Sequence, residues 1–354
     1  MKLLNHKQSV FLFLFILFIK VYVFIFILNY TNMGGADANY YDAYATGIAT
    51  HAVNIWPKIL YQLNELGYYN REVIKYFLFS LSALVIPLLI VNILKKNKII
   101  IDKRMYWNLA LLVSLYPSLF LFSIDIYRDI VMVLLFLIVI YFFRIYTMSS
   151  RVKSFLIYLV LISLGVFLFF WRPYLGFSVI VSLLIYKILS FKLFNNFKLI
   201  VTLYILGLVG AYSIGILDPI LTYRGEEGFE VGNVSMGIGL IGKNPVEFLI
   251  LFVYSGLMQL FGLYIINFGA LFLFITESLP FILACVYIYK NRVFLGDFEK
   301  FILLFCLIYA TIWIIGNDNL GTAIRLRMYN YIGVLIVVGT IYLSKKAYSI
   351  RNSK

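Results

Sequence analysis

Val10–Leu28 reads VFLFLFILFIKVYVFIFIL, an almost unbroken apolar run with one charge, Lys20, near its centre. About 20 apolar residues are what an α-helix needs to cross the hydrocarbon of a bilayer. The run lacks the strict alternation of a membrane β-barrel strand, and so does Val131–Phe143. Similar runs recur along the chain. The 354 residues are 63% hydrophobic and 13% charged, with a mean hydropathy of +0.95. The expected fold class is therefore an all-α polytopic membrane protein, one integral membrane domain over residues 1–354.

Working outward from the first run, Lys2 and Lys7 precede it. It is too long for a signal-peptide core and lacks a small-residue cleavage site, so it is expected to remain as the first span. Further spans are expected at Val73–Leu94, Trp107–Phe122, a fourth ending near Arg144, Phe155–Phe170, a sixth ending near Lys187, Leu199–Ile216, Phe268–Tyr289, Phe301–Ile315 and Tyr329–Leu343. That is about ten transmembrane helices. Lys95, Lys96, Lys98, Lys103, Arg104, Arg151, Lys153, Lys187 and Lys192 fall on one side, which the positive-inside rule makes cytoplasmic, with both termini.

Residues 246–266 are the hard stretch. A full span there would place Lys290, Arg292 and the basic tail, Lys345, Lys346, Arg351 and Lys354, outside. The segment is also interrupted by Gly256, Gln259 and Gly262, and is expected to be an interfacial or re-entrant helix at the outer face. On this topology about twelve of the 16 Asp/Glu lie outside, an asymmetry that Lys/Arg placement did not presuppose. The net charge of +14 is divided among short loops, which makes it topogenic and excludes a nucleic-acid role. Cys285 and Cys306 fall inside spans, as small packing residues rather than a disulfide or metal pair.

Outer loops 29–72 and 217–245 are long enough to form a site. The first contains Gly34-Gly35-Ala36-Asp37-Ala38-Asn39-Tyr40-Tyr41-Asp42. Asp37 and Asp42 are candidate catalytic carboxylates, able to take a proton from an acceptor hydroxyl at the bilayer edge, and His51 is a further candidate base. The plainer alternative is a solvated aromatic belt with surface acids. A second constellation is the set of arginines on the outer side, where topology disfavours them: Arg128, Arg172, Arg224, Arg325 and Arg327. Guanidinium groups are permanently charged and bidentate, which suits phosphate and pyrophosphate. Arg128 sits beside Asp125 and Asp129, and Arg224 opens a Glu-rich loop, so these two have local acids; Arg172, Arg325 and Arg327 have none adjacent. Lys20 and Glu277, each costly alone near the midplane, are expected to form a structural ion pair. No Walker-type loop, zinc spacing, nucleotide fold or Ser-His-Asp pattern is present, so neither a metal nor a cofactor is expected.

The chain resembles the bacterial O-antigen and capsule repeat-unit polymerases, the Wzy type, and related exopolysaccharide polymerase-like membrane proteins. The resemblance extends over most of the chain through loose motifs. They are Gly34-Gly35-Ala36-Asp37 with Tyr41-Asp42, Tyr116-Pro117-Ser118 with Arg128-Asp129, Gly242-Lys243-Asn244-Pro245, and Gly321-Thr322-Ala323-Ile324-Arg325-Leu326-Arg327. It implies a GT-C-like glycosyltransferase of the bacterial cytoplasmic (inner) membrane, working on the periplasmic or outer face. It implies undecaprenyl-pyrophosphate-linked oligosaccharides as substrates, in contact with membrane lipids, and a chain-length regulator as a candidate partner. Arg172, Arg325 and Arg327 would hold the pyrophosphate with help from Arg128 or Arg224, and Asp37 or Asp42 would deprotonate or orient the acceptor. The chain departs from the Arg-X10-Gly pattern of some such polymerases, because Ser235 stands where the glycine would follow Arg224.

Two other classes fit parts of the sequence. A GT-C transferase adding a side-branch sugar from a lipid-phosphate donor needs the same first-loop acids. A lipid-linked oligosaccharide flippase or other transporter would use midplane charges such as Lys20 and Glu277, but the chain shows no internal repeat. An acyltransferase would want a histidine deep in the early spans, whereas His6 and His51 fall outside them.

Overall fold

A computed structural model describes residues 4–30, 35–95, 103–188, 197–226 and 235–352. Gly34, Lys96, Lys98, Lys192 and residues 227–234 of the second loop lie outside the described residues. The chain divides into two compact units, one of residues 1–177 and 342–354, the other of residues 178–341. Helix is the only regular element among the described residues, with no strand and a single isolated bridge between Ser235 and Asn319. Among the described residues seven helices are long and apolar enough to cross a membrane, or eight if one bent pair is counted as a span. The protein is an α-helical membrane protein with several such passes.

In the first unit, α1 (His6–Tyr30) is followed by α2 (Ala36–Ala45) and α3 (Ile55–Glu65). The expected polar loop 29–72 thus contains two helices. Asn54 caps α3 by accepting from the Trp56 N–H, and Asn70 caps the next helix by accepting from Glu72 and Val73. That helix, α4 (Arg71–Lys95), carries a π-helical turn at Leu81–Val85. The third expected span is broken. Helix α5 (Lys103–Ser114) has 12 residues, about 18 Å, and the short α6 (Pro117–Leu121) follows a break at Tyr116. Pro117 lacks an N–H and holds Tyr116 extended, so the helix cannot run through.

Helices α7 (Asp129–Tyr146) and α8 (Arg151–Trp171) pack together as an antiparallel pair joined by a short turn. Helix α9 (Pro173–Ile188), at 16 residues, starts at once with Pro173 in its first turn. A Cβ at Gly176 would meet the Phe169 nitrogen at 2.2 Å and the Gly165 carbonyl at 2.5 Å, so only glycine allows the reversal from α8 into α9.

In the second unit the seventh expected span is α10 (Phe197–Ser213), bent by 75° at Gly215 (φ +76°) into α11 (Asp218–Glu226). Helix α12 (Pro245–Gln259) has 15 residues, about 22 Å, and is capped by Asn244. Non-helical chain follows to Asn267, turning at Gly262 (φ +68°). Helix α13 (Phe268–Lys290) carries a second π-helical turn at Phe274–Ser278. Helices α14 (Asp297–Gly316) and α15 (Leu320–Asn352) follow; α11 and α12 both pack on α14. Asn330 ties α15 to α14, accepting from the Trp313 indole at 3.2 Å and donating to the Cys306 carbonyl at 2.7 Å. Both cysteines are free, Cys306 buried and Cys285 half-buried.

Candidate functional site

The charged residues of the first unit gather where α2, the start of α4, the segment before α7 and the α8–α9 junction meet. Helix α2 is placed by Gly35, whose N–H donates to the Tyr127 hydroxyl at 3.0 Å; a Cβ there would lie 2.2 Å from that oxygen. Trp56 anchors α3 to the same segment by donating its indole N–H to the Ile126 carbonyl at 2.8 Å.

Arg71 is the hub of one half. Its guanidinium grips Asp125 with two bonds, at 2.7 and 3.1 Å, reaches Asp42 at 3.2 Å and donates to Asn39 at 3.0 Å. Asp125 is fully buried and also accepts its neighbour's N–H. Tyr69 donates to the other Asp42 oxygen at 2.5 Å, and burial together with that bond pushes the phenol well above its usual range. Asp42, a candidate catalytic base from sequence, is therefore engaged on both oxygens and serves to hold Arg71 and Tyr69.

The other half surrounds Tyr41. Its buried phenol is raised by desolvation and lies in the fields of Arg128 and Arg172, which lower it, and of Asp129 and Asp37, which raise it. Arg172 pairs with Asp129 at 3.2 Å, both nearly inaccessible, and its guanidinium lies 5.6 Å from the Tyr174 ring centre. Arg128 donates to the Trp171 carbonyl at 2.8 Å. It is half-buried and forms no ion pair among the described residues. Asp37 is half-buried on the same helix. His51 is exposed, and only its backbone carbonyl is used, as the acceptor for Tyr40.

Partner choice departs from what adjacency suggested. Asp125 goes to Arg71 and Asp129 to Arg172, so Arg128 takes neither. Arg172, with no acid adjacent in sequence, has one across the fold.

In the second unit Arg224 is bonded to protein acceptors. Its fully buried guanidinium donates to the carbonyls of Ile314 (3.1 Å), Ile315 (3.2 Å), Asn317 (2.6 Å) and Ile238, and to Asp318 at 2.6 Å. It closes the C-terminus of α14, where carbonyls lack intrahelical partners. Burial pushes the Asp318 carboxyl upward, while Ser235, Arg224 and the N–H groups of Ile238 and Gly237 pull it back. Gln259 joins the same knot, donating to the Asn317 carbonyl and accepting from its amide.

Of the two midplane charges, Glu277 meets Arg327 at 3.4 Å within the second unit, both buried. Within the first unit the Lys20 ammonium has no hydrogen-bond partner among the described residues and lies 5.5 Å from the Phe120 ring centre. Arg327 also stacks over Tyr331, 5.4 Å away, whose hydroxyl donates to the Leu260 carbonyl and meets Ser278. A Cβ at Gly262 would come within 2.7 Å of Arg327 and 2.3 Å of Ser278, so the turn after α12 sits directly on this group. Arg325, two residues away, is half-buried.

Arg71 and Trp171 were not singled out in the sequence, Asp125 stood there only as an acid beside Arg128, and Tyr41 only as part of a motif. Arg71 carried the same signal as the other outer arginines, since it lies in the outer loop just before the second span. The buried positions of Tyr41 and Trp171 had no such mark among so many aromatics. No family model matches the chain, and neither a curated protein nor a solved structure does.

Proposed function

We propose that the protein polymerises undecaprenyl-pyrophosphate-linked oligosaccharide repeat units into O-antigen, capsular or exopolysaccharide at the outer face of a bacterial cytoplasmic membrane. The observation that carries this reading is Arg128: a half-buried guanidinium with one donor on a backbone carbonyl, no carboxylate partner among the described residues, and a field that reaches the buried Tyr41, as does that of Asp37. Arg172, fixed by Asp129, is a second guanidinium in the same neighbourhood.

In the transfer, an acceptor hydroxyl oxygen attacks the anomeric carbon of the carrier-linked glycan and its proton passes to the Asp37 carboxylate. The bond from that carbon to the carrier phosphate breaks, and the diphosphate leaves with the electron pair. Arg128 neutralises the charge that develops there, the kind of fixed electrostatic stabilisation that contributes most to such steps. Tyr41 orients the groups by hydrogen bonding, and the surface tyrosines of α2 and α3, Tyr44 and Tyr61, whose rings meet edge-on at 6.0 Å, offer faces to sugar rings.

Gel analysis of surface polysaccharide from a deletion strain tests the function. Loss of long chains with one repeat unit retained is the expected result. Full-length chains of altered composition would identify a side-branch transferase instead, and loss of all surface glycan, single units included, would point to a lipid-linked oligosaccharide flippase.

A further inference from the structure

Two tryptophans stand at the edge of the Tyr41 cluster with ring centres 5.8 Å apart. Their indole N–H groups differ in fate. That of Trp56 is bonded to the Ile126 carbonyl. That of Trp171 is buried and has no acceptor among the described residues, although the residue is only 3% exposed. Buried N–H groups in folded proteins are nearly always satisfied, so an exception marks a place for a ligand, an ordered water or a cost accepted for function. The Trp171 ring has little freedom to find another partner, because Trp56 and Phe167 pack against it. Its own backbone carbonyl is the group that holds Arg128.

We infer that the Trp171 indole N–H and the remaining N–H groups of Arg128 form one donor set for a phosphate oxygen of the lipid-linked diphosphate substrate. This rests on the polymerase reading above and deepens it by assigning a neutral donor to the leaving group. An indole N–H carries no charge, so it adds direction to the electrostatic hold of Arg128 without repelling the nearby Arg172. It also explains a tryptophan at the last residue of α8, where any large apolar side chain would satisfy packing alone.

The test uses the full-length protein in phosphatidylcholine nanodiscs with farnesyl diphosphate as probe. Trp171→Phe should weaken binding about tenfold, as loss of one hydrogen bond to a charged acceptor does. Arg128→Ala should weaken it further. Binding unchanged in Trp171→Phe but lost in Arg128→Ala overturns the role of the indole and leaves the polymerase reading standing. A wild-type protein that binds neither farnesyl diphosphate nor inorganic pyrophosphate removes the anion site and that reading with it. Equal competition by phosphatidylglycerol would assign the donors to a bulk headgroup and overturn the substrate assignment. A second measurement needs no substitution at the site. Of the four tryptophan indole signals in a 15N–1H spectrum, that of Trp171 should shift on adding farnesyl diphosphate while that of Trp56 stays. Assignment comes from Phe variants of the other three, and a stationary Trp171 signal overturns the inference.

Discussion

Removing the Arg224 guanidinium would strand four carbonyls and the Asp318 carboxylate in the interior. Breaking one partner out of such a buried group costs about 3–5 kcal/mol, so Arg224→Ala should lower the amount of protein in the membrane. Arg128→Ala should behave differently. Its one bond goes to a backbone carbonyl and it is half-buried, so the protein should accumulate normally while polymer formation falls about 10²–10³-fold, the usual cost of losing a fixed donor to developing charge. Immunoblots of membranes and in vitro polymer yield, taken together, check the pair. Normal yield in Arg128→Ala would remove the residue from the proposed chemistry. In the sequence the two arginines look alike, each beside acids, because adjacency along the chain reports neither burial nor the direction of a side chain.

At the scale of elements, the placement of α2 depends on the contact between Gly35 and Tyr127. A methyl group at residue 35 would push into the Tyr127 hydroxyl at 2.2 Å, whereas the ring carbon behind it is at 3.4 Å. Gly35→Ala should therefore displace α2, carrying Asp37 and Tyr41 with it, and reduce activity. Adding Tyr127→Phe should restore most of the lost activity by removing the oxygen, although the Gly35 N–H loses its acceptor. Polymer yield in the single and double variants measures this, and a double variant as impaired as Gly35→Ala would show that the clash is not the cause. Helix breaks were only partly legible. Gly262 interrupts 246–266 visibly in the sequence, whereas Pro117 breaks the third expected span and Gly215 bends the seventh unseen, because hydropathy averages over a window and passes across a single backbone irregularity. The caps at Asn54 and Asn70 were legible in principle as Asn before a helix-forming run.

For the whole molecule, charge placement predicts that reporter fusions after Ile266 will read outside and those after Lys290 will read cytoplasmic. A cytoplasmic signal at Ile266 would make residues 246–266 a true span and invert everything that follows it. The fifteen residues of α12 and the irregular chain from Phe261 to Asn267 make it short for a full crossing. The sequence by itself determined the class. Apolar runs as long as Val10–Leu28 have one low-energy solution in lipid, a helix that satisfies its own backbone. It also marked which arginines were anomalous. The tertiary structure alone decided what three of those arginines pair with, because their partners are remote: Arg172 reaches Asp129 at the start of α7, Arg327 reaches Glu277 across 50 positions and Arg224 reaches Asp318 across 94. Ion pairing depends on distance and burial in space, and neither is written in the local spacing of residues.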